Sequence, residues 1–246
     1  MPKIVLVHSF RHGVGRSSLV ANLGYLLAEQ GQRVGLVDAD TESPSLHYLL
    51  GLEDCRPAGT FLDGLTGRCP IEESAVPVSH LLPPDSGALF FVPGAAAASP
   101  FDSPDLLEPI SNACLRLVQF YQLDTLLIDS QPGLSRQALL SLTLPDVLLL
   151  VLRHDWRDYQ GTGVTVDVVR QLAVPRVALL VNEAPAAFEA AALTAELADV
   201  FQSEVVAVLP HLDEMMVLPS PRIFARHYPA HPVTAILRQA ANKLAG

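Results

Sequence analysis

Ile4-Val5-Leu6-Val7-His8-Ser9-Phe10-Arg11-His12-Gly13-Val14-Gly15-Arg16-Ser17-Ser18 is the stretch on which the reading of this chain turns. A short apolar run stops at His8 and a polar loop with two glycines follows. Leu19, Leu23, Leu26 and Leu27 then mark one face of a helix that ends at Gly31. Strand, glycine loop and helix in that order suit an anion. Glycines let the backbone curl so that several N–H groups converge, and the helix N-terminus adds positive potential.

Outward from this unit, short apolar runs alternate with helical periods. Ile4 to His8, Arg33 to Val37, Leu89 to Val92, Thr125 to Ile128, Val147 to Leu152, Val177 to Val181 and Val205 to Leu209 read as strands, most of them apolar on both faces. Leu193, Leu197, Val200 and Phe201 mark a further helix. The βα alternation predicts an α/β fold: a single doubly wound, mostly parallel sheet with helices on both faces. The whole of residues 1–246 fits one such domain. Seven of the 20 prolines fall between Pro70 and Pro104, which predicts an irregular excursion around one strand. There is no internal repeat, and Ala95 to Ala98 is the sole biased tract.

Composition narrows the function classes. Half of the residues are hydrophobic and 17% are charged, which excludes a disordered chain. A net charge of −10 opposes nonspecific attraction to nucleic acid or anionic lipid. No apolar run reaches the roughly 18 residues of a membrane span, and the N-terminus reads as a strand rather than a signal peptide, so a cytoplasmic protein is expected. Cys55, Cys69 and Cys114 share no close spacing, and the eight histidines show no ligand spacing. Of the 16 basic residues only Lys3 and Lys243 are lysines.

Two ligand readings of the glycine loop compete, beside a turn with no ligand. One is a P-loop, with Arg16 where the usual lysine would stand and Ser17 as the metal-side hydroxyl. The other is a dinucleotide fingerprint, Gly13-x-Gly15-x-x-Ser18, with Asp38 as a ribose ligand in an NAD-type oxidoreductase. Ser9 to His12 intervene between strand and first glycine, which favours the P-loop. The stretch Arg11 to Ser18 then resembles the deviant Walker A motif KGGxGK[ST][ST] of the ParA/MinD-type ATPases. Gly35-Leu36-Val37-Asp38-Ala39-Asp40 resembles that family's switch I, and Leu126 to Gly133 its Walker B and switch II. Leu89 to Gly94 resembles the strand and turn before it, and Leu180-Val181-Asn182 the strand end that faces the base. Two departures stand out: Arg11 replaces the signature lysine and Arg16 the P-loop lysine. His12 stands where a glycine is common.

The resemblance implies ATP and Mg2+ as cofactors and assigns roles. His12, Gly13, Val14, Gly15, Arg16, Ser17 and Ser18 would wrap the phosphates, and Asn182 and the loop beginning at Pro210 would meet the adenine. Ser17, Asp38 and Asp129 would serve the metal. Asp40 would orient the attacking water, with Arg11 and Arg16 completing the catalytic set and Arg11 crossing a nucleotide-dependent homodimer. The expected function is a slow, partner-stimulated ATPase switch that positions or regulates assembly of a cargo through an unidentified protein partner. The alternative is a non-hydrolysing regulator on the same fold. Iron–sulfur reductases of this fold are disfavoured, because the cysteines do not follow the switch strands. Arg153 to Arg157 read as an interface or a solvated loop. Val233, Ile236, Leu237, Ala240, Ala241 and Leu244 form one helical face without aromatic anchors, expected to pack on the domain rather than on a membrane. The basic excess after Pro210 (Arg222, Arg226, Arg238 and Lys243 against Asp213 and Glu214) is too small to imply nucleic acid.

Overall fold

The computed structural model describes residues 1–55, 57–95, 107–135, 138, 142–217 and 222–246. Among these, eight strands form one sheet: β1 Lys3–His8, β2 Arg33–Asp38, β3 Val76–Pro77, β4 Ala88–Val92, β5 Thr125–Asp129, β6 Val147–Arg153, β7 Val177–Ala184 and β8 Glu204–Pro210. Their order is β3-β4-β2-β5-β1-β6-β7-β8. Every pairing is parallel except the antiparallel one between β3 and β4. The expected doubly wound architecture is therefore the observed one, and all seven expected strands form, most of them slightly longer than their apolar runs.

The helices are α1 Arg16–Glu29, α2 Leu46–Leu49, α3 Phe61–Leu65, α4 Leu107–Tyr121, α5 Trp156–Gln171, α6 Ala190–Phe201, α7 Asp213–Val217, α8 Phe224–His227 and α9 Pro232–Ala245. Strand side chains alternate between two cores. Val5, Val7, Leu149 and Val151 pack with Leu19, Leu23 and Leu27 of α1 and Leu237 and Leu244 of α9. Leu6, Leu148, Leu150 and Leu152 pack with Leu117 of α4, Val166 of α5 and Leu197 of α6. A strand apolar on both faces is what such a two-layer cover requires. The C-terminal helix packs on the domain as its apolar face implies: Val233, Leu237, Ala240, Ala241 and Leu244 are all buried.

Two sequence expectations need adjusting. The proline-rich excursion contains a short edge strand, β3, and two 3₁₀ turns at Ile71–Ser74 and Ser79–Leu81, while residues 96–104, with most of the alanine tract, lie outside the described residues. Arg153 to Arg157 are not a free loop. Asp155 caps α5, accepting hydrogen bonds from the backbone N–H groups of Arg157 and Asp158 at 2.9 and 3.0 Å. Among the described residues no helix is long and apolar enough to cross a membrane.

Candidate functional site

Parallel topology delivers the site. Because β1, β2 and β5 are neighbours running the same way, their C-terminal ends open on one edge of the sheet, and the register sets Asp38 beside Asp129 and Val7 beside Asp129. The loop from Ser9 to Gly15 rises from this edge and enters α1. Gly13 and Gly15 both hold left-handed backbone conformations, φ +76° and +87°. At Gly15 a side chain would also collide with the Asn182 amide. Gly15 is the N-cap of α1 and no side chain caps that end, so the first-turn N–H groups face a cavity of about 550 Å³. Its walls are residues 11 to 18 together with Asp40, Ser43, Ser45, Tyr48 and Leu49.

Arg16 does not extend into this cavity as a free cation. Its side chain is 7% exposed and its guanidinium turns back to the sheet edge, where Nε donates to Asp129 Oδ1, Nη2 to Asp40 Oδ2 at 2.7 Å and Nη1 to Ser9 Oγ at 3.1 Å. A planar fork with several N–H directions can bridge two carboxylates in this way, and a point-like ammonium cannot. Asp40 is held further, its Oδ1 accepting from the backbone N–H groups of Glu42 and Ser43. Asp38 spends both oxygens on the backbone: Oδ1 accepts from Asp40 N, and Oδ2 from Ser45 N and Leu46 N. Burial, reinforced by the neighbouring Asp129, pushes the Asp38 carboxyl up to about 8. Burial also raises Asp129, against the pull of Arg16 and the Ser17 hydroxyl. Behind them His8, its Nδ1 2.8 Å from Ser130 Oγ, is lowered to about 3 by burial and by Arg16.

Of the residues expected to serve a magnesium ion, Asp38 and Asp129 are both engaged by other groups of the chain. Asp38 is committed to the turn after β2. The Asp129 carboxylate already has a full positive charge against it, and its Oδ2 is the one oxygen of the two aspartates without a hydrogen-bond partner. Asp38 thus also braces the segment after β2.

The other expected residues divide. Arg11 is 32% exposed and paired within its own chain, Nη2 to Asp155 Oδ2 and Nε to Asp158 Oδ1, each at 2.5 Å. The Asp158 side chain is 2% exposed, so one of these partners is buried. His12 lies 3.2 Å from Glu42 Oε2 at the cavity mouth. Asn182 donates through Nδ2 to the carbonyl of Val14 at 2.8 Å, so its amide nitrogen holds the loop, while Pro210 ends β8 half-buried. Arg153 reaches the same loop, donating to Gly13 O and pairing with Glu183. Ser9 and Asp158 carry no site role in the sequence reading, and Asp155 enters it only within the cluster read as an interface or a solvated loop. A cap aspartate ahead of an amphipathic stretch was the available signal for Asp155.

Residues 1–152 match the family described as ParA, NUBPL iron-transfer P-loop NTPase. The chain belongs to this family of P-loop NTPases. Over 130 residues it is 35% identical to an iron-sulfur cluster carrier protein of Haemophilus influenzae, covering 53% of this chain and 32% of that protein. Over 136 residues it is 30% identical to the septum site-determining protein MinD of Thermotoga maritima, covering 55% and 46%. The chain thus spans less than half the length of these curated relatives. In fold it is similar to MinD of Aquifex aeolicus, with a TM-score of 0.80 at 20% identity, covering 98% of this chain and 96% of that one. It is also similar to MinD of Pyrococcus horikoshii complexed with Mg-ADP, with a TM-score of 0.73 at 19% identity over 99% and 96%.

The family description names iron transfer, a role the sequence reading did not weigh, since it disfavoured only the iron–sulfur reductases of this fold. The cysteines themselves stand apart from the nucleotide cavity. Cys114 is buried in α4, Cys69 Sγ lies 3.3 Å from Ser74 Oγ, and Cys55 lines a separate cavity of about 230 Å³. Among the described residues no group of three or more His, Cys, Asp or Glu side chains is placed to hold a metal ion.

Proposed function

We propose that the chain binds ATP in the cavity above α1 and acts as a nucleotide-dependent dimeric switch on a partner protein. The observation that carries this is the uncapped N-terminus of α1, with left-handed Gly13 and Gly15 turning the preceding N–H groups into a 550 Å³ cavity. Oriented backbone amides and a helix dipole bind a polyphosphate without any particular side chain, so the two lysine-to-arginine departures leave this part intact. Membership of a P-loop NTPase family supports the same ligand. Pairing of two copies around the nucleotide, the cargo and the partner follow from the resemblance to ParA/MinD proteins and are proposed on that ground.

A non-hydrolysing output is favoured over rapid turnover by one contact. Asp40, the residue proposed to orient water, already accepts from Arg16 and from two backbone N–H groups, so only one acceptor position, on Oδ2, is left to meet a water. Calorimetry of the full chain with ATP and with NAD tests the ligand. ATP binding in preference to NAD is the expected result, and NAD binding without ATP binding would overturn it. Light scattering with and without ATP tests the dimer.

A further inference from the structure

We infer that the Arg16 guanidinium does the electrostatic work of a divalent cation in this site, so that the chain binds ATP equally well with and without magnesium. The inference rests on the ATP reading above and specifies the form of the ligand: the free nucleotide rather than its metal complex. Three observations carry it. First, the two carboxylates that face the loop, Asp40 and Asp129, are bridged by one buried guanidinium. Second, the third carboxylate of the site, Asp38, has both oxygens bonded to backbone N–H groups, which leaves Oδ2 of Asp129 as the one unpartnered oxygen of the three carboxylates. Third, Arg16 also lines the cavity. Nε, Nη1 and Nη2 each give one N–H to the protein, and the second N–H of each terminal nitrogen is left to meet a phosphate oxygen.

A carboxylate pair without a counter-ion would repel a polyphosphate, and a metal ion is the usual remedy for such repulsion. Here the remedy is covalently part of the chain. Lysine could not supply it in the same way, since a single ammonium cannot span Asp40, Asp129 and Ser9 in the planar geometry seen. The Arg16 substitution and the spent oxygens of Asp38 are then two parts of one arrangement.

Equilibrium binding of ATP to the full-length chain, measured in excess EDTA and in excess magnesium, decides the matter. The expected result is a dissociation constant that agrees within about threefold between the two buffers. ATP binding that weakens by about tenfold or more in EDTA overturns the inference and leaves the ATP reading standing. Absence of binding in both buffers overturns the ATP reading, and this inference with it. Arg16→Lys supplies the converse arm: a folded variant, checked by circular dichroism, should acquire the magnesium dependence that the parent lacks. A folded Arg16→Lys chain that still binds ATP equally in both buffers shows that Arg16 is not the reason and overturns the assignment. If the variant does not fold, the two-buffer comparison on the parent chain decides alone.

Discussion

Asn182 at the end of β7 donates its side-chain amide to the carbonyl oxygen of Val14, 2.8 Å away and 168 positions earlier in the chain. The amide sits under Gly15, at the spot a Cβ there would need. Gly15→Ala should therefore suffer twice, from a left-handed φ that costs about 1 kcal/mol or more and from a collision with the amide. ATP affinity is expected to drop by about tenfold or more, and Gly15→Ala/Asn182→Ala should recover part of the loss because the collision is gone while the backbone strain stays. Calorimetric titration of both variants checks this. Full recovery in the double variant would mean that the backbone conformation at Gly15 carries no cost.

Arg11 joins the glycine loop to the first turn of α5, and its loss leaves the buried Asp158 side chain with the backbone N–H of Arg153 as its remaining donor among the described residues. Arg11→Ala should lower the stability of the nucleotide-free chain by about 1 to 3 kcal/mol, measured by urea unfolding. Asp158→Asn in the same background should return part of that, since the uncompensated charge is removed. The proposed dimer adds a second readout. If Arg11 leaves Asp155 and Asp158 to reach a second copy, Arg11→Ala lowers ATP-dependent dimer formation in light scattering while single-chain ATP affinity holds. Unchanged dimer formation would confine Arg11 to its contacts within the chain.

What the sequence made legible is what repeats. A buried parallel strand shows as a run of Val, Leu and Ile, and seven such runs marked seven strands. The two-residue β3 carries no run and contains Pro77, so it is held by pairing with β4 rather than by its own pattern. Helix α5 is hard to read for a different reason. Gly161 and Gly163 and two threonines, Thr162 and Thr165, blur its periodicity, and Gly161 is there because the Phe10 ring lies where a Cβ would stand. In the site, positions were legible and partners were not. Strand-end aspartates and the glycine loop could be placed on one edge of the sheet. That Arg16 turns inward to Asp40 and Asp129, and that Asp38 is consumed by the turn after β2, depend on side-chain rotamers and loop closure, which spacing does not encode.

Asp40→Ala separates binding from turnover. Removing this carboxylate leaves the backbone N–H groups of the loop untouched, so ATP should remain bound. Whatever turnover the parent has should disappear, because no water-orienting group remains. Phosphate release measured against the parent tests it, and equal rates would reassign Asp40 to the bracing of Arg16 alone.

The three thiols should differ in reactivity. Burial raises Cys114 to about 12, whereas Cys55 and Cys69 are partly exposed. A thiol reagent at neutral pH should modify two cysteines and reach the third only on unfolding. The linkage has a definite sign. The unfolded chain loses the Cys114 proton near the ordinary value of 9 and the folded chain only near 12, so stability falls as pH rises between them. Tyr159, also raised to about 12 by burial, adds to the same fall above its own ordinary value of 10. Cys114→Ala should lessen the loss of stability between neutral and alkaline pH without abolishing it, as urea unfolding at the two pH values will report.

The C-terminal helix provides the last test, because its apolar face has a single occupant in this fold. Leu237 is fully buried between α1 and the sheet, and Ala240, Ala241 and Leu244 extend the same contact. The polar face is tied down as well, Arg238 pairing with Glu29 of α1 at 2.8 Å. A face already spent on the core has nothing left for lipid, and a net charge of −10 opposes an anionic surface. Leu237→Ala should cost about 2 to 5 kcal/mol of stability, the range for a buried leucine truncated in a well-packed core. The parent chain should remain in the supernatant when centrifuged with phosphatidylglycerol vesicles, with or without ATP. Sedimentation that requires ATP would mean that α9 leaves its place against α1 on nucleotide binding. In that case Leu237→Ala, by loosening the same contact, would sediment without the nucleotide.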